Sequence, residues 1–201
     1  MGSREVEKLT KRQREILIGK MLGDGFLEMN GKHSRLKIDH THKQKDYVFW
    51  LHNEFLPFTT ARPYEIGYLD ERTNKTYLHW RFATKSLPIF NKWRKIFYLR
   101  KRKIIPDNIV NLLKSPLTLA VWYMDDGYRR KDCNALYLCT SGYNSDEQLM
   151  LQEALVKNFS IQTKVHYAAG NARLYIPARS AKAFCSTISK YIIPSFSYKL
   201  L

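Results

Sequence analysis

Cysteine is scarce in this chain. Cys133, Cys139 and Cys185 are the only three, they form no CxxC pair, and their number is odd, so neither a disulfide frame nor a zinc site is signalled. A reducing compartment is expected. No apolar run is long enough to span a membrane, and the opening MGSREVEKLTKRQRE lacks the apolar core of a signal peptide, with Met1-Gly2-Ser3 reading as an expression scar. There is no Gly-rich phosphate loop, no GxSxG and no HExxH, which removes the commonest nucleotide, serine-hydrolase and zinc-protease readings. Acid is also in short supply: 18 Asp and Glu stand against 34 Lys and Arg, a formal net charge of +16.

What is present supports a folded, polyanion-binding protein. At 201 residues, 44% hydrophobic and 13% aromatic, the chain can bury a core as one compact domain or two small halves. The basic residues are interleaved with Tyr, Trp, Phe and His rather than gathered in a tail, a pattern that points to nucleic acid. The charge is lopsided, with 23 Lys and Arg against 11 Asp and Glu in residues 1–105, net +12, leaving +4 for residues 106–201. On that count the first half is expected to make more phosphate contacts.

The chain repeats itself. LTKRQREILIGKMLGDGFLE (9–28) and SPLTLAVWYMDDGYRR (115–130) each begin with a helix cap, Thr10 with Gln13 or Ser115 with Pro116, and each stops at Asp-Gly. SRLKIDH and then a helix from Thr41, with Gln44 at N3, follow the first; ALYLCTS and a helix from Ser145, with Gln148 at N3, follow the second. Two further strand-like runs and a closing helix complete each half: PYEIGYL, TYLHWRFA and 86–97, then TKVHYA, ARLYI and 179–191. The reading is α+β, a duplicated αββαββα unit, with halves at 4–97 and 116–201 joined by a basic linker at 98–115.

Alternation along the strands sorts their faces. Leu78, Trp80 and Phe82 oppose Tyr77, His79 and Arg81; Leu36 and Ile38 oppose Arg35, Lys37 and Asp39. In the second half Lys164 and His166 oppose Val165, and Arg173 and Tyr175 oppose Leu174 and Ile176. The repeated basic and aromatic bias suits a β-ribbon entering a DNA groove, and makes Arg35, Lys37, Tyr77, His79, Arg81, Lys164, His166, Arg173 and Tyr175 the DNA-binding candidates. His40-Thr41-His42, beside a helix cap, reads as incidental.

The two Asp-Gly stops pose a question of electrostatics. A carboxylate at a helix C-terminus faces the negative end of the macrodipole, at a cost of roughly 0.3–1 kcal/mol when exposed. Packing of the two apolar helices against each other, allowed by Gly19, Gly23 and Ala120, would bring Asp24 and Asp126 together, where a hard divalent cation and a phosphodiester would relieve their repulsion.

LIGKMLGDG (17–25) and LAVWYMDDG (119–127) resemble the paired signatures of the LAGLIDADG homing endonucleases, in the single-chain branch with two motifs; KIIPDNIVNLL and IIPSFSYKL are similar to that branch too. The resemblance implies a monomer in which two curved antiparallel DNA-binding sheets flank a central two-helix interface. It also implies double-strand cleavage of a long DNA site with Mg²⁺, for which Mn²⁺ substitutes, leaving short 3′ overhangs. It maps the metal-binding acids onto Asp24 and Asp126, adds the carbonyls of Gly23 and Asp125 as ligands, and maps the basic residues that orient water onto Lys199 and Lys103. Lys20 departs from the pattern by putting a charge inside the first motif helix, and Trp122 and Tyr123 are bulky for a tight helix pair. An RNA-splicing maturase and a non-cleaving regulator of the same fold are the alternatives; the presence of both acids favours the enzyme.

Overall fold

The computed structural model describes residues 8–201, so Met1-Gly2-Ser3 and the opening of the first half lie outside the described residues. The elements run α1 (Lys11–Leu22), β1 (Phe26–Asn30), β2 (His33–Thr41), α2 (Lys45–Glu54), β3 (Tyr64–Asp70), β4 (Lys75–Ala83) and α3 (Pro88–Phe97). A short hairpin, β5 (Tyr98–Leu99) with β6 (Arg102–Lys103), and one helical turn, α4 (Ile109–Leu112), follow. The second series is α5 (Pro116–Asp126), β7 (Gly127–Arg129), β8 (Leu136–Cys139), α6 (Ser145–Phe159), β9 (Lys164–Ala168), β10 (Asn171–Ile176) and α7 (Ala178–Ile188). The αββαββα order thus occurs twice. Both four-stranded sheets are antiparallel and share one topology, β1-β2-β4-β3 and β7-β8-β10-β9.

Two compact units emerge, and the division runs through α1. One holds the described residues up to Arg14 with Asp24–Lys95; the other holds Glu15–Gly23 with Ile96–Leu201. In the first, α2 packs on β2 and β4, and Leu27, Leu36, Ile38, Val48, Leu51 and Phe82 form a fully buried layer. In the second, Ile16, Leu17 and Met21 of α1 are buried with the whole Leu117–Met124 face of α5, and Leu138, Leu174 and Phe184 close the core. Residues 98–115 belong to this second unit: Glu147 of α6 accepts from Ile105 N (3.2 Å) and Arg102 (2.8 Å), and Asn158 donates to Val110 O and Leu113 O. Among the described residues no helix is long and apolar enough to cross a membrane. None of the three cysteines is in a disulfide; Cys185 is buried and the other two are exposed.

Local rules hold at some caps and shift at others. Thr10 and Gln13 form the expected reciprocal box, at 3.1 and 3.0 Å, and Ser115 caps α5 through Leu117 N at 3.2 Å. The other two caps are corrections. Thr41 makes no side-chain cap bond, because the chain passes through a 3-10 turn at His42–Gln44 and Gln44 bonds His40 Nδ1 instead. On α6 the box lies one residue upstream, between Asn144 and Glu147; Gln148 is buried and holds Thr140 through its hydroxyl and its carbonyl. On β4 the core side closes at Trp80, against Phe49 of α2 at 5.3 Å, whereas Leu78, expected in the core, is 45% exposed toward the hairpin tip.

The displaced box predicts a contrast. Asn144→Ala removes the α6 cap and should lower unfolding stability by about 1 kcal/mol, while Ser145→Ala should stay within about 0.5 kcal/mol of the parent. Urea denaturation of both variants checks it, and equal losses would return the cap to Ser145.

Candidate nucleic-acid interface and catalytic centre

The C-terminal ends of α1 and α5 are where the two motifs place their acids. Residues 15–22 of α1, with Gly23 after them, lie directly on α5: a Cβ on Gly19 would fall 2.6 Å from Thr118 O and 2.7 Å from Val121 Cβ, and Thr118 Oγ1 donates to Glu15 O at 2.9 Å. A Cβ on Gly23 would collide with the Asp125 carboxylate. Glycine is required at both positions by this approach. Lys20 and Asp125 meet in the same contact at 2.7 Å with both side chains fully buried, so the charge that departs from the motif pattern is neutralised by an acid from the other motif.

Cations also sit on the helix-end carbonyls. Lys103 Nζ donates to Gly23 O at 2.5 Å and the buried Lys199 donates to Met124 O at 2.6 Å, its ammonium 5.0 Å from the Phe196 ring centroid. Each lysine therefore meets the negative end of one motif helix, the favourable place for a cation. The Gly23 carbonyl, expected as a metal ligand, is in hand to Lys103. Tyr143 adds a hydroxyl donor to Leu22 O at 2.9 Å; burial, and then the nearby Asp126 charge, push its phenol well above the ordinary range. Asp126 is half-buried. Asp24 is exposed, and in the first unit its carboxylate lies 3.9 Å from His40 Nδ1, so this histidine, read as incidental, neighbours a motif acid.

Every sheet residue singled out from the sequence lies on one face of its own sheet. In the first, Arg35, Lys37, His79 and Arg81 are half-buried and Tyr77 is exposed. Among the acids that pair with this unit's bases and imidazoles, Glu28 holds Arg35 (2.6 Å) and Lys37 (3.6 Å), Asp39 holds Arg81 and His79, and Glu65 pairs with His42. In the second sheet Arg173 faces His166, and Tyr175 faces Lys164 across β9. The His166 and Tyr175 rings stack at 4.4 Å, Arg173 lies 4.3 Å from the Tyr137 ring centroid, and Arg173 Nη1 donates to Tyr128 at 2.7 Å. Strands β1–β4 carry four Lys or Arg against four Asp or Glu; β7–β10 carry three against none. The larger charge of the first half thus lies off its sheet. Sequence reasoning missed Tyr128 and Tyr137, which share the Tyr175 face by register, and Asp39, which alternation had put beside Lys37.

Residues 14–184 match the LAGLIDADG DNA endonuclease family. The chain belongs to that family. It is 30% identical over 199 residues to probable intron-encoded endonuclease 1 of Wickerhamomyces canadensis, covering 96% of this chain and 85% of that one. It is also 30% identical over 208 residues to the cytochrome b mRNA maturase bI2 of Debaryomyces hansenii, covering 96% and 74%. Among solved structures, the homing endonuclease I-WcaI bound to its DNA recognition sequence superposes with a TM-score of 0.90 at 27% identity, over 96% of this chain and 88% of that one. The α+β fold with its duplicated antiparallel sheets is the homing endonuclease fold.

The buried pair predicts a coupled response. Lys20→Met leaves the Asp125 carboxylate buried without its cation and should cost about 3–5 kcal/mol, of which the double variant Lys20→Met/Asp125→Leu should recover a large part. Denaturation midpoints of the single and double variants measure the coupling, and additive losses would contradict it.

Proposed function

We propose that this LAGLIDADG-family protein is a site-specific homing endonuclease that breaks both strands of a long duplex target by Mg²⁺-dependent hydrolysis, leaving short 3′ overhangs, and that it works as a monomer in a reducing compartment. The observation that carries the reading is that both motif acids, Asp24 and Asp126, are present at the ends of helices whose terminal carbonyls each receive a lysine. Asp24 and Asp126 each offer hard carboxylate oxygens, the donor type that Mg²⁺ and Mn²⁺ prefer, and the Asp24 side chain is about half exposed, at 49%. A divalent ion held by either carboxylate would supply charge neutralisation and a lowered pKa for bound water.

The chain's own residues do the rest. Lys103 and Lys199, fixed on Gly23 O and Met124 O, hold positive charge at one angle beside each helix end, suited to orienting water and countering phosphate charge. The carbonyls of Gly23 and Asp125 remain proposed supplementary ligands. Arg35, Lys37, Tyr77, His79 and Arg81 would meet one part of the target and Lys164, His166, Arg173 and Tyr175 another, with base edges read by the forked arginines and phosphates held by the lysines. The likeness to the Debaryomyces maturase over 96% of the chain supports a second reading, assistance of RNA splicing by the same fold.

Digestion of a randomised DNA library with Mg²⁺, followed by sequencing of the cut ends, tests the first reading; a splicing assay on the host transcript, where one is found, tests the second. Asp24→Asn and Asp126→Asn should each reduce cleavage by more than the roughly 10–100-fold typical of groups that only support a metal ligand, while gel-shift affinity for the target stays near the parent value. A variant that still cuts at the parental rate would remove its aspartate from the chemistry.

A further inference from the structure

An acid occupies the middle of the first sheet's polar face. Asp39 Oδ2 accepts from Arg81 Nη2 (2.5 Å), Arg81 Nε (3.1 Å) and the Tyr68 hydroxyl (2.8 Å), and its Oδ1 lies 2.7 Å from His79 Nδ1. The donors come from β3 and β4, and Arg81 is the direct partner of Asp39 in the β2–β4 register. Side-chain exposures of 28% for Asp39 and His79 and 18% for Arg81 make the cluster neither core nor open surface. On a face meant to meet a polyanion, such a carboxylate opposes affinity. It needs another reason to be there.

We propose that Asp39 is a positioning residue for base recognition, acting through Arg81 and His79; this rests on the reading that the polar sheet faces meet DNA. A guanidinium has five N–H groups arranged as two forks. Asp39 takes the Nε/Nη2 fork, which leaves the Nη1/Nη2 fork whole, the arrangement that pairs with O6 and N7 of guanine. The Tyr68 ring lies beside the guanidinium, its centroid 5.3 Å from the guanidinium carbon, and its own hydroxyl is tied to the same carboxylate. In a neutral His79, donation from Nδ1 to Asp39 leaves Nε2 as an acceptor, so the carboxylate also sets the sign of that outward group. Two side chains that could follow phosphates at many angles become fixed readers. The second sheet, with no acid in its strands, orients Arg173 on Tyr137 and Tyr128 instead.

Binding selection on a library that varies every position of the target, at two salt concentrations, tests the proposal with the parent, Asp39→Asn, Arg81→Ala and the double variant. Asp39→Asn should lose roughly tenfold in preference at the same one or two adjacent positions that Arg81→Ala affects, gain affinity for unrelated DNA, and show a steeper salt dependence. On the Arg81→Ala background, Asp39→Asn should change those positions by less than about twofold. Should Asp39→Asn fail to fold by thermal melting, Tyr68→Phe, which removes one donor without changing charge, should shift the same positions. A profile unchanged in these variants, or one weakened equally for all sequences, overturns the proposal while the nuclease reading stands. A parent without sequence preference overturns both.

Discussion

The contact of α1 with α5 is the constraint from which the rest of the site follows. Gly19 and Gly23 let the helices touch backbone to side chain, so the C-terminal turn of α1 has little room for water. Helix-end carbonyls held this closely need donors, and the second unit supplies them from positions far apart in sequence: Lys103, Tyr143 and Lys199. Lys20 and Asp125 add a buried ion pair that a well-packed apolar pair could match in stability. Ammonium meets carboxylate at only one sliding position of α5 along α1, so the pair is sensitive to the register of the contact.

The two sheets hold their basic side chains in different ways. On the first, acids pair with the bases and fix their side chains; on the second, aromatic rings and a tyrosine hydroxyl orient Arg173 without cancelling its charge. The net +12 of residues 1–105 therefore misdirects if taken as a measure of grip at the sheet. Charge totals record neither the face on which a residue sits nor the partner it has. In the groove of a duplex, where every exposed cation also binds phosphate without regard to sequence, compensated arginines favour discrimination and uncompensated ones favour affinity.

Much of this was legible in the sequence. Period-two alternation placed Leu36, Ile38, Arg35, Lys37 and Asp39 on their correct faces because each sheet has one wet side, and the paired Asp-Gly stops marked both motif helices. The αββαββα order followed from the duplication. What eluded the sequence were choices between near-equivalent neighbours. Asn144 and Ser145 are both good caps, and the buried bond of Gln148 to Thr140 decides between them; Gln44 faced a similar choice and took His40. Acid at two helix ends calls for a cation, and three lysines already stand there; nothing local to Lys20 or Lys103 announces a partner 105 or 80 residues away.

The pairing of α1 with α5 also bears on why two halves share one chain. Counted from the motif acids, Gly19 corresponds to Val121, Lys20 to Trp122 and Gly23 to Asp125. The missing Cβ of Gly19 is filled by Val121, and that of Gly23 by Asp125, so each small residue meets the larger residue of its own motif position. A symmetric pair of first motifs would leave glycine opposite glycine, with cavities and two unmatched lysines. A symmetric pair of second motifs would force valine on valine and carboxylate on carboxylate. Only the unlike combination is complementary, and a duplicated gene product can reach it because its two copies change independently while their ratio stays fixed at one to one. The same freedom allows two sheets of one topology to carry different side-chain chemistry.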